Sequence, residues 1–168
     1  ALNVLDNDRD GLFLMVEGGA VDWASHANQS GRMIEEQIDF TRAVEAVMDW
    51  VEENSSWDDT LLIVTADHEC GHLAGPESDP EWAPLVPRGA GEQPGMAWYS
   101  EEHTNVLVPI LVKGVGSERF ADMVKGEDPV RGDYVDNVDL AEIMFEAFGG
   151  RKSDVPEGEP VISEQPSS

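Results

Sequence analysis

Leu61-Leu62-Ile63-Val64-Thr65-Ala66-Asp67-His68 is the stretch on which the fold turns. Four apolar residues without helical spacing run into a polar end, which predicts a short strand closed by an acid and an imidazole. Upstream, residues 32–53 contain neither Gly nor Pro, and Ile34, Ile38, Val44, Val47, Met48 and Val51 fall near a helical repeat with acids between them. That pattern predicts a long amphipathic helix, stopped at Asn54-Ser55-Ser56. Further upstream, Leu12-Phe13-Leu14-Met15-Val16 is apolar and continuous and halts at Glu17-Gly18-Gly19. Such a run reads as a strand buried on both faces. Strand, helix and strand in this order predict a βαβ unit and the α/β class, with polar residues gathered at the carboxyl edge of the sheet.

Downstream, residues 71–100 are rich in Gly and Pro and carry Trp82, Trp98 and Tyr99, the composition of a long functional loop. Residues 106–112 predict a third strand, interrupted by Pro109 and so at an edge or a bulge. A short helix is expected over 117–125, and a last one from Asn137 through Phe145 to a stop at Gly149. One domain is expected over residues 1–150, followed by a mobile tail over 151–168. The opening ALNVLDNDRDG has no initiator Met and runs straight into an apolar strand, so chain is expected to precede it.

Charge sets limits on partners. Lys and Arg number 10 against 35 Asp and Glu, a net charge of -25, which repels nucleic acid and anionic membrane alike. Metal ligation uses only a handful of carboxylates, so most of the excess needs another cause. Screening of self-repulsion makes a salt-adapted or marine source the hypothesis. The melting temperature should then rise from low to molar salt; a melt indifferent to salt would contradict it. One cysteine, Cys70, allows no internal disulfide. No apolar run approaches the ~18 residues that a membrane span requires.

Three polar clusters stand where strands end. Asp22 and His26 in VEGGAVDWASHANQ (16–29) are four apart, so one helical turn sets both on one face. Glu17 precedes a Gly pair that lets the backbone turn sharply. Asp67 and His68 are neighbours, and both reach one ion only where the strand breaks. His103 stands directly before the third strand. Singly, each has a bland explanation as a helix-surface pair, a strand end or a loop histidine. Together they put three of the four histidines at the edges of three strands, each with acids near, as a metal-holding edge requires. His72 is read as a loop residue, Cys70 as a small buried hydrophobe, and Arg42 as a solvated helix residue. Trp23 suits either a pocket wall or packing.

VEGGAVDWASHANQ, IEEQIDFTRAVEAVMDWVE (34–52), LLIVTADHECGHLAGP (61–76) and EEHTNVLVPILVKG (101–114) together resemble the second half of bacterial alkaline phosphatases, most closely the marine type. The resemblance covers roughly residues 10–148, with the motifs in family order. It implies a mostly parallel central sheet flanked by helices, present as a C-terminal portion. It also implies hydrolysis of phosphate monoesters with two zinc ions and one magnesium ion. Matched motif by motif, Asp22, His26 and His103 would hold the first zinc, Asp67 and His68 the second, and Glu17 the magnesium. Homodimer formation and export to the periplasm or beyond the cell are implied as well. The family's serine nucleophile lies in an Asp-Ser-Ala motif that this sequence does not contain. That departure puts the attacking group upstream of the chain. A related phosphodiesterase, sulfatase or phosphomutase, and a metal-binding portion without catalysis, are the alternatives.

Overall fold

The computed structural model describes residues 1–78 and 81–149; the expected tail over 151–168 lies outside the described residues. The described residues fall into two compact units, one within residues 1–56 and 64–111 and the other within residues 57–63 and 112–149.

The first unit is organised on one long helix. It opens with α1 (Leu2–Leu5), then α2 (Ala20–His26) and α3 (Ser30–Asn54). The predicted helix is therefore present, with two further residues at its start and one at its end. Its inward stripe is Met33 and Ile34, Phe40, Ala43 and Val44, Val47 and Met48, and Val51, spaced by threes and fours, whereas Ile38 lies off the stripe and is exposed. Helix α2 packs on α3 and buries Ala24 and Ser25. The turn between the two helices is made at Asn28, whose φ of 52° is left-handed. Asparagine is one of the few residues with a side chain that reaches this region at low cost.

The segment over 12–16 is not a strand. Residues 12–16 carry no strand assignment, and Phe13 and Met15 are 60% and 79% exposed. A strand buried on both faces needs a neighbour on either side, and local apolarity cannot supply one. The expected βαβ unit thus lacks the ladder of its first strand.

Strand β1 (Leu61–Val64) forms as predicted and is joined by β2 (Glu69–Cys70), β3 (Leu73–Ala74), β4 (Ala97–Trp98), β5 (His103–Thr104) and β6 (Leu111–Gly114). β2 pairs antiparallel with β5 and β3 antiparallel with β4, while β1 pairs with β6. The third predicted strand begins only after Pro109, which has no N–H to give a ladder. The long loop is tied down rather than open. Trp98 Nε1 donates to Ser30 Oγ at 2.8 Å, and Tyr99 bonds through its hydroxyl to Gly75 and Ser78 at 2.9 and 3.0 Å. Among the described residues three helices precede six strands, and a helix, a two-stranded hairpin and a last helix follow, a mixture of helices and strands that agrees with the expected α/β class. Where a mostly parallel central sheet was expected, the described residues make two-stranded pairs, three of them antiparallel.

The second unit carries the pair of β1 with β6, then α4 (Arg119–Asp122), an antiparallel hairpin of β7 (Gly126–Asp128) and β8 (Gly132–Tyr134), and α5 (Asn137–Ala147). Asp136 and Asp139 form a reciprocal capping box at the start of α5. Asp139 is buried, and Lys125 Nζ stands 3.1 Å from its Oδ1, which offsets the cost of that burial. No described helix is long and apolar enough to cross a membrane.

Candidate metal centre

Two backbone events in the first unit gather the site. Helix α2 sets Asp22 and His26 on one face, one turn apart. The antiparallel register of β2 and β5 sets Cys70 opposite His103. Helix and strand pair then meet. His103 Nε2 lies 3.3 Å from Asp22 Oδ1, His26 Nε2 lies 3.6 Å from Asp22 Oδ2, and the two imidazole Nε2 atoms are 3.0 Å apart. The Cys70 thiol donates to the Asp22 carbonyl at 3.9 Å.

The ring of His26 is aimed by the backbone. Its Nδ1 is 2.5 Å from the Glu101 carbonyl oxygen, which can only accept, so Nδ1 carries the proton and the lone pair of the neutral ring is on Nε2. A carbonyl behind a ring nitrogen is the usual way of orienting a metal-ligating histidine. Asp22 Oδ1 is buried and has no hydrogen-bond partner, despite its nearness to His103. Buried polar atoms are rarely left so, because the lost hydration is not recovered. A carboxylate and two imidazole nitrogens gathered at one place are the donor set that zinc takes.

His68 stands beside this group. Its ring stacks on His103 with centroids 3.5 Å apart, and its buried Nδ1 has no hydrogen-bond partner. β1 ends at Val64, so the break required for Asp67 and His68 to face one point is present: Asp67 Oδ2 is 3.4 Å from His68 Nε2. Asp67 is 87% exposed, and this pair supplies two donors only. Glu17 lies elsewhere in the unit, in a hollow of about 290 Å³ lined also by Gly18, Glu36, Asp39 and Phe40. Gly18 is required there, since a Cβ would come within 2.9 Å of the Phe40 ring. None of the other five predicted ligands lines that hollow.

Cys70 is the residue that the sequence undervalued. Its sulfur belongs to the same group as Asp22, His26 and His103, with all four ligating atoms within 4.8 Å of one another. Burial first, then the hydrogen bond and repulsion from Asp22 and the charges of Glu69 and Glu102, push the thiol up to about 12. The available signal was its place two residues after a predicted ligand, where a broken strand brings both side chains round. Glu69 itself is engaged in structure, bonding Thr104 Oγ1 and the Leu73 N–H. His72 is outside the group, with φ of 46° and its ring 5.9 Å from that of Tyr99. Trp23 does not pack: it is 75% exposed beside Asp22.

The family model for alkaline phosphatase matches residues 1–93. Streptomycin-6-phosphate phosphatase of Streptomyces griseus is 33% identical over 151 residues, covering 84% of this chain and 30% of that protein. Alkaline phosphatase of Escherichia coli (strain K12) is 35% identical over 124 residues, covering 68% and 25%. Alkaline phosphatase 3 of Bacillus subtilis (strain 168) is 41% identical over 71 residues, covering 42% and 15%. The alkaline phosphatase of the Antarctic bacterium TAB5 superposes with a TM-score of 0.65 at 24% identity, over 90% of this chain and 39% of that one, which establishes a shared fold. A variant of that enzyme has been solved with magnesium bound. The chain thus spans between 15% and 30% of the length of these three relatives.

Proposed function

The chain belongs to the alkaline phosphatase family, and from that premise we propose that it carries the metal-binding edge of a phosphate monoester hydrolase. The observation that carries this reading is the gathering of His26 Nε2 and His103 Nε2 at the Asp22 carboxylate, whose buried Oδ1 has no hydrogen-bond partner.

In this reading Asp22, His26 and His103 hold one zinc ion, and Asp67 with His68 contribute to a second. Glu17 binds magnesium, and the hollow it shares with Glu36 and Asp39 suits a hard cation that prefers oxygen ligands. Ions held by these residues would supply Lewis-acid polarisation of a phosphoryl oxygen and charge stabilisation for the departing alkoxide. The chain's own residues do the rest. Asp22 brings a charge that partly neutralises the cation, and the Glu101 carbonyl fixes which nitrogen of His26 is available. The stacking of His68 on His103 restrains both rings against rotation.

The attacking serine is proposed to come from outside these 168 residues, since the Asp-Ser-Ala stretch of the family is not within them. The substrate class is a phosphate monoester of a small molecule; one relative is by name a streptomycin-6-phosphate phosphatase. Homodimer formation, a periplasmic or extracellular place and a salt-rich habitat belong to the same proposal.

Hydrolysis of p-nitrophenyl phosphate by the full-length protein tests it. Turnover should appear with zinc and magnesium, vanish on chelation and return when zinc is restored. Turnover indifferent to chelation would sink the proposal.

A further inference from the structure

We propose that Cys70 is a fourth donor to the ion held by Asp22, His26 and His103, giving that ion two nitrogens, an oxygen and a sulfur. The inference rests on the metal-binding reading and adds a ligand that the reading does not contain.

Strand pairing places the cysteine. Cys70 is the direct partner of His103 in the β2–β5 ladder, and its half-buried thiol is turned onto the backbone of Asp22. The four ligating atoms lie within 4.8 Å of one another. Around a tetrahedral zinc with bonds of about 2.0–2.3 Å, ligand atoms are roughly 3.3–3.8 Å apart. Small side-chain rotations close this group on an ion. One observation independent of the thiol points to a cation at the same place: Asp22 Oδ1 is buried without a hydrogen-bond partner. A cation there would give that oxygen a partner, and the Nε2 atoms of His26 and His103, a hydrogen-bonding pair 3.0 Å apart, stand beside the same carboxylate.

Coordination replaces the S–H bond of Cys70 with a sulfur–metal bond and releases the proton to solvent, with no change of oxidation state. The resulting set selects borderline-soft ions, zinc, cobalt and cadmium, over magnesium. A zinc ion held by these four side chains would still be able to take a fifth ligand, so four protein donors remain compatible with turnover.

Cobalt titration of the metal-free full-length protein tests the proposal. Co²⁺ should produce visible bands of tetrahedral cobalt together with a near-ultraviolet band from thiolate-to-metal charge transfer. Cys70→Ser should lose the near-ultraviolet band and keep the visible ones. Cys70→Ala provides the same comparison with a residue that needs no hydrogen bond, in case the serine variant folds poorly. Visible bands without the charge-transfer band in the unaltered protein would overturn the role of Cys70 and leave the metal reading standing. No visible bands at all would overturn both.

Discussion

Changing Asp22 to Ala is expected to lower kcat/KM for p-nitrophenyl phosphate by at least about 100-fold, or roughly 2.7 kcal/mol of transition-state stabilisation. Asp22 has this weight because its carboxylate stands near both imidazoles, at 3.6 Å from His26 and 3.3 Å from His103. Its removal takes away the carboxylate among the proposed ligands of that zinc and leaves two imidazole Nε2 atoms 3.0 Å apart. His103→Ala should cost a comparable factor, since it removes a ligand and the stacking surface of His68 at once. Arg42→Ala, on the exposed side of α3, should stay within about twofold, as surface changes away from a site usually do. Steady-state kinetics at saturating zinc and magnesium decide. A loss of less than about tenfold for Asp22→Ala would remove metal-ion catalysis from this cluster.

Replacing Gly71 with Ala should destabilise the protein by about 2–4 kcal/mol, the sum of a left-handed backbone cost and an overpacking cost. Gly71 has φ of 83°, and a Cβ there would stand 2.4 Å from the Trp98 ring and 3.2 Å from the Ser25 carbonyl oxygen. Neither neighbour is free to yield. Trp98 is held through its indole N–H by Ser30, and the Ser25 carbonyl belongs to α2. The Gly71 carbonyl also accepts from the Tyr99 and Ser100 amides, so a shift spreads along the segment that leads to His103. Gly31→Ala is the contrast, because the space around it is open and it lies inside α3, where Ala is favoured by up to about 1 kcal/mol. Urea unfolding should show the midpoint falling for Gly71→Ala and holding or rising for Gly31→Ala, at unchanged slope. Equal midpoints for the two variants would contradict the packing described around Gly71.

The parts of the fold legible in the sequence are those decided locally. Helix α3 could be read because its apolar spacing and freedom from Gly and Pro are properties of one segment. The four-residue spacing of Asp22 and His26 was legible for the same reason. The Leu12–Val16 stretch was misread because strand formation depends on a partner, and apolarity alone does not provide a ladder. Pro109 carried its information correctly, but marked where β6 starts and not a kink inside it. Within the site, strand register was the missing quantity. Only the pairing of Cys70 with His103 reveals that a cysteine with a bland reading faces a histidine. The Glu101 carbonyl was equally invisible, since every residue has one and its direction is a property of the folded loop.

The central claim is that an ion sits between Asp22, His26 and His103. The most direct measurement is an anomalous difference map, at the zinc absorption edge, of crystals of the zinc-loaded full-length protein. The account predicts a peak within bonding distance of the Asp22 carboxylate and of both Nε2 atoms. Zinc peaks elsewhere in the molecule, with none among these three side chains, would contradict it.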